Sequence, residues 1–271
     1  MVARALTWWT ILKISLEERL VYRGDFALGT LMRFLPIVTQ IFLWTAVFAA
    51  SESGTIVGYS RNDIVAYYLL TMLARAFSSM PGLASGIARQ VRDGEIKKFL
   101  IQPIDLISYL LLARIAHKLV YYLVAAGPFA LVYYLCRSYF PGWPATDVFA
   151  AFLLSLVLSF MLGFFLEASM GMIAFWFLEV TSLLFVYMLF TFFFSGHMFP
   201  LDMLPDFWLT LVDYMPFKYL AYFPAAVFLG KIEGEALYQG LLIQTAWVVF
   251  FIVSCRLLMQ AGFNRYSGFG G

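Results

Sequence analysis

Charge is what this chain has least of. Only 13% of its 271 residues ionise, while 63% are hydrophobic and 19% aromatic, and the mean hydropathy is +0.85. A water-soluble domain of that composition would expose far too much apolar surface, so the solvent is a bilayer. A net charge of +2 excludes a nucleic-acid binder driven by bulk charge. Cysteine and histidine are as scarce, with two of each. Cys136 and Cys255 fall near the ends of spans on opposite faces of the topology derived below, which argues against a disulfide. His117 and His197 are too far apart in sequence to suggest a metal site. No G-x-x-x-x-G-K-[ST] occurs, and the lone Gly230-Lys231 lies on the face away from the cytoplasm. The chain is therefore expected not to be an enzyme, to carry no catalytic residue and to hold no cofactor. Alternation with period two is also missing, which leaves helices as the spanning elements. No cleavable signal peptide is expected, because Lys13, Glu17, Glu18 and Arg19 interrupt any apolar core near the start.

What is abundant is long apolar sequence. Six runs are long enough to cross roughly 30 Å of hydrocarbon, at about 26–50, 63–86, 107–135, 147–169, 172–195 and 236–259. The expected fold class is an all-α membrane protein in one transmembrane domain over 1–271. In the third run Arg114, His117 and Lys118 place the first turns at the interface, their side chains snorkelling. Before the first run, Ala5, Trp9, Leu12, Leu16 and Leu20 make one helical stripe opposite Arg4, Thr7, Ser15 and Glu18. Residues 4–23 are thus an amphipathic helix lying on the bilayer, either a membrane anchor or a cradle for a soluble partner. Thirteen of the eighteen lysines and arginines fall on one side, in 1–33, 87–118 and the tail. By the positive-inside rule that side is cytoplasmic, and both termini lie there.

The loop Arg89–Pro103 is the densest charged stretch. Six of its fifteen residues ionise, yet Val91, Ile96, Phe99, Leu100 and Ile101 keep it partly apolar. A connector needs neither feature; a surface element gripping a soluble partner needs both. A second unusual stretch, 196–230, holds four of the ten prolines (Pro200, Pro205, Pro216 and Pro224). These break it into short aromatic helices suited to dipping into the outer leaflet without crossing it. It reads either as a plug sealing the bundle or as a gate, with Gly196, His197, Phe199, Pro200, Trp208, Pro216, Phe217 and Phe223 as its members. Ionisable residues inside spans are few: Arg75, Glu167 and Glu179. Arg75 and Glu179 fit either a packing pair or a polar spot on a transport route. Pro81, Gly82 and Gly86 soften the end of the Arg75 helix next to the charged loop.

In order and spacing these features resemble a permease subunit of a bacterial type 2 ATP-binding-cassette exporter. The residues that carry the likeness are Asp93-Gly94-Glu95-Ile96 with Phe99-Leu100-Ile101-Gln102-Pro103, Phe175-Trp176-Phe177 leading to Ser195-Gly196 and Phe199-Pro200-Leu201, then Pro216-Phe217 and Tyr222-Phe223-Pro224-Ala225. The resemblance implies that 89–101 is a coupling helix docking on a separate nucleotide-binding ATPase, through Arg89, Arg92, Asp93, Gly94, Glu95, Lys97 and Lys98. It also implies that 196–230 forms extracellular re-entrant helices. Two permeases, identical or paralogous, would enclose one pathway in the bacterial inner membrane, with ATP and Mg bound by the partner ATPase. The rival readings are an ion-gradient-driven secondary transporter or channel, which would show internal repeats and helices broken at the midplane, and a membrane enzyme or assembly scaffold.

Overall fold

The computed structural model describes residues 2–20, 23–50, 55–177 and 179–266. Residues 21 and 22, at the end of the expected surface helix, and Leu178, inside the expected fifth span, lie outside them. The chain is mostly helical and packs as two compact units, Met1–Val65 with Pro103–Phe140, and Ala66–Gln102 with Pro141–Gly271.

The first unit holds α1 (Val2–Leu20), α2 (Arg23–Ala49), a two-stranded hairpin (β1 Thr55–Ile56, β2 Tyr59–Ser60), the start of α3 (Arg61–Ser78) and α6 (Leu106–Leu135). Both α1 and α2 pack on α6. The hairpin pairs Thr55 with Ser60 and Ile56 with Tyr59. Its two-residue turn puts Val57 at φ 47° and Gly58 at φ 75°, the left-handed pair a tight hairpin demands. Ser60 and Asp63 then cap α3 reciprocally: the Ser60 N–H donates to the Asp63 carboxylate and the Asp63 N–H to the Ser60 hydroxyl. Asp105 starts α6 in the same manner, accepting from the Ser108 N–H at 2.8 Å and from its hydroxyl at 2.6 Å. Pro36 and Pro128 sit inside α2 and α6, and near them Phe34 meets Phe129 edge to face.

The second unit contains the rest of α3, then α4 (Leu83–Arg92), α5 (Lys97–Ile101), α7 (Thr146–Met172), α8 (Thr181–Phe194), α9 (Asp206–Asp213), α10 (Tyr222–Phe228) and α11 (Gly234–Arg265). Single 3-10 turns lie at Ile173–Phe175, Leu201–Met203 and Phe217–Leu220. α7 is its centre, packed against α4, α10 and α11. Two glycines let α7 approach backbone closely. A Cβ on Gly163 would drive into the Ser78 carbonyl, and one on Gly171 would lie 3.0 Å from the Ala84 backbone. Gln244 of α11 is fully buried, and its side-chain amide donates to the Ser155 carbonyl, the Ser159 hydroxyl and the Tyr219 carbonyl. That one side chain ties α11 to α7 and to the turn before α10.

Among the described residues, three helices are long and apolar enough to cross a membrane: Leu106–Leu135, Thr146–Phe175 and Gly234–Arg265. Shorter apolar helices run over Phe34–Ala49 and Thr181–Phe194. The boundaries differ from the sequence reading at two places. The second run, expected to continue to 86, stops as a helix at Ser78. Pro81 has no N–H to continue the ladder, and Gly82 sits at φ 73°. The fifth run, expected from 172, contains the end of α7, a 3-10 turn and only then α8 from Thr181. The fourteen residues of α8 rise about 21 Å, less than the hydrocarbon thickness.

Candidate functional site

The residues singled out in the charged loop lie together at one end of the second unit. The stretch 89–101, expected as one helix, is the last turn of α4, a tight turn and α5. α4 is amphipathic: Leu83, Ala84, Ile87 and Val91 are buried, while Arg89 and Arg92 are exposed. Gly94, at φ 77°, turns the chain after Arg92. The Ile96 N–H then closes the turn on the Gln90 carbonyl at 3.1 Å. Ile96 and Phe99 are buried beneath it, whereas Asp93, Glu95, Lys97 and Lys98 stand exposed. Two apolar anchors thus hold a mixed-charge tip in the open, with Arg92 bridged to its neighbour Asp93 at 3.2 Å.

Beside this tip lies a cleft of about 370 Å³, with Ser85, Gly86, Arg89 and Arg92 on one wall and Glu179 and Thr181 on the other. Glu179 is therefore not two turns inside a helix. It precedes α8 and accepts the Thr181 N–H at 2.9 Å. The Thr181 side chain and N–H hold its carboxyl below the usual carboxylate range, and Arg92 adds to the effect. The Arg75 charge is felt at His197. Glu167 is half-buried on α7 and acts electrostatically on Tyr187 of α8.

The aromatic segment divides sharply by burial. Its first turn, 195–200, is bound to α3. The Tyr67 hydroxyl donates to the Gly196 carbonyl at 2.5 Å and the Tyr68 hydroxyl donates to the Met198 carbonyl. Gly196 sits at φ 77°, and a Cβ there would lie 2.6 Å from both the Tyr67 hydroxyl and the Tyr222 Cβ. The Tyr222 N–H closes this turn on the Ser195 carbonyl at 2.9 Å, and the Tyr222 hydroxyl reaches Asp202. Pro200 is buried and Phe199 half-buried. His197 stands edge-on to Phe192 with its Nδ1 buried and unbonded.

The far end of the segment is core. Tyr219 through Val227 are buried, Pro216 is buried, and Phe223 is jammed against Gly240 of α11. Between these ends α9 is largely exposed, with Phe207 72% accessible and Trp208, 44% accessible, stacked on Phe194 of α8. Phe217 meets Tyr187 and Phe190 of the same helix. No residue of α8 is fully buried, and Leu184, Tyr187, Thr191 and Phe194 are half-buried.

Sequence reasoning missed Tyr67, Tyr68, Ser159, Gly163 and Gln244. The adjacent tyrosines in the second apolar run and Gln244 in the sixth were visible as polar groups where water is absent. Their partners are backbone carbonyls far along the chain, which leave no mark on the sequence. The model of the family described as ABC-2 family transporter protein matches residues 34–270. No match is found among curated proteins.

Proposed function

The chain belongs to the ABC-2 transporter family, a multi-pass membrane component of a transporter, and from that premise we propose that it is the permease subunit of an ATP-driven exporter. In this reading α2, α3, α6, α7, α8 and α11 are the six crossings, with α8 completed by the 195–200 turn. The charged tip Asp93-Gly94-Glu95 with Lys97 and Lys98 faces the cytoplasm, as do both termini, and the inner membrane is the compartment. The excess of lysine and arginine on that side supports the orientation.

One observation carries the coupling role. Ile96 and Phe99 anchor an exposed tip whose charges have both signs, an arrangement suited to orienting a soluble partner with complementary charge. Energy would reach the chain there, from a separate ATPase that binds ATP and Mg. A second permease subunit would complete the pathway, and the unburied apolar surface of α8 supports a neighbour of protein or lipid along that helix. The 196–230 segment would close the outer end. Its exposed α9 is suited to movement and its buried α10 to fixing it on the bundle.

A photoreactive residue in place of Lys97 or Lys98 tests the assignment. In native membranes it should capture a nucleotide-binding subunit. The same probe in place of Trp143, which is exposed elsewhere on this unit, should not. Capture from neither position, or equally from both, would overturn the assignment.

A further inference from the structure

The inference rests on the transporter reading and concerns how motion would cross the membrane. α3 bears on both regions described above. Past Pro81-Gly82 it continues into α4 and the charged tip, and toward its start it carries Tyr67 and Tyr68, bonded to the 195–200 turn. α8 also runs between the two regions, but its side chains are at most half-buried. α3 is different: Ala66, Tyr67, Leu69, Leu70, Thr71 and Ala74 are all buried.

We propose that Tyr67 and Tyr68 are positioning residues that keep the 195–200 turn in register with α3, so that displacement of α4 and α5 reaches the outer segment through α3. The fulcrum is the close approach of Ser78 to Gly163, where no side chain intervenes. From Ser78 to Tyr67 is about 16 Å of helix. A tilt of about 10° would carry the tyrosine hydroxyls roughly 3 Å, one hydrogen-bond length. The two hydroxyls grip the turn by main-chain oxygens, so the grip depends on the turn's backbone shape. Gly196 permits that shape, since only a residue without a Cβ fits between Tyr67 and Tyr222. Asp202 on the Tyr222 hydroxyl and the Tyr222 N–H on Ser195 make the turn and the start of α10 one piece. A shift at Tyr67 and Tyr68 therefore moves the entire entry to the outer segment.

The test uses the complete transporter, with Cys136→Ser to remove the accessible native thiol, Cys255 being buried, and Met198→Cys as the reporter. Labelling by a membrane-impermeant maleimide is followed without nucleotide and with a non-hydrolysable ATP analogue. In this background nucleotide should change the labelling rate several-fold. Adding Tyr67→Phe and Tyr68→Phe should abolish that difference while ATP hydrolysis persists, a pattern that lost folding would not give. The single phenylalanine variants should each give an intermediate response, and they keep the proposal testable if the double variant is poorly made. An undiminished nucleotide response in the double or in both single variants would overturn the proposal and leave the transporter reading standing. A background that never responds, with no ATPase retained on the chain, would overturn both.

Discussion

Gly196 shows how little room single residues leave in this chain. Its φ of 77° costs an L-residue roughly 1–2 kcal/mol before any clash. A Cβ would also displace Tyr67 or Tyr222, so Gly196→Ala should lower the thermal midpoint of the purified protein by more than that strain alone. Gly163→Ala forces α7 off the Ser78 carbonyl and should cost roughly 1–3 kcal/mol. Gly86→Ala, where a Cβ meets open space, is the matched control and should be neutral or slightly stabilising in a helix. At Gln244, replacement by leucine removes one amide that serves three acceptors. The expected loss is about 1–2 kcal/mol. Gln244→Leu combined with Ser159→Ala should cost less than the sum of the two single changes, because both remove parts of one network. Thermal unfolding of the detergent-solubilised protein measures all of these.

Glu179 gives the pH dependence. Its folded carboxyl titrates below the ordinary glutamate value of about 4.3. Its contribution is therefore fully present above that value and is lost as pH falls through the lower, folded one. Wild type and Glu179→Gln should differ most at neutral pH, and their thermal midpoints should converge in acid. A difference between them that grows in acid would contradict a stabilising hydrogen bond from the Thr181 N–H to this carboxylate.

At the scale of elements, the long helices were legible and the breaks were not. α6, α7 and α11 each begin within two residues of the expected apolar run, because length, composition and polar punctuation all agree there. The end of α3 at Ser78 was hidden by apolar residues on both sides of the Pro81-Gly82 break. The start of α8 was hidden in the same way, since hydropathy runs on through Phe175-Trp176-Phe177. Hydropathy reports the solvent around a segment, and a turn covered by protein looks the same as a helix. The aromatic segment was recognised as irregular from its prolines, but composition could not separate exposed α9 from buried α10.

The tip of the charged loop makes the element-scale prediction. Gly94 sits at φ 77°, a conformation closed to proline, whose ring fixes φ near −65°. Gly94→Pro should disrupt the turn between α4 and α5 and leave α6, α7 and α11 intact. Circular dichroism of the purified variant should then show nearly unchanged helix content, while capture of a partner through Lys97 falls at least tenfold. Equal capture would mean that the turn geometry has no role in docking.

For the whole molecule, the charged tip was legible because its chemistry is local: six ionisable residues and their apolar anchors lie within fifteen positions. The link between that tip and the aromatic turn was not legible. It depends on Tyr67 meeting Gly196, 129 positions away, and only the folded chain brings them together. The central claim is that energy enters this protein from a separate ATPase at the tip. The most direct measurement is ATP hydrolysis retained on the tagged chain after extraction from its own membranes, for the wild type and for the charge reversal Asp93→Lys with Glu95→Lys. The account predicts robust hydrolysis with the wild type and loss of most of it with the reversal, at equal yields of the permease. Equal activity in both, or none with the wild type, would contradict it.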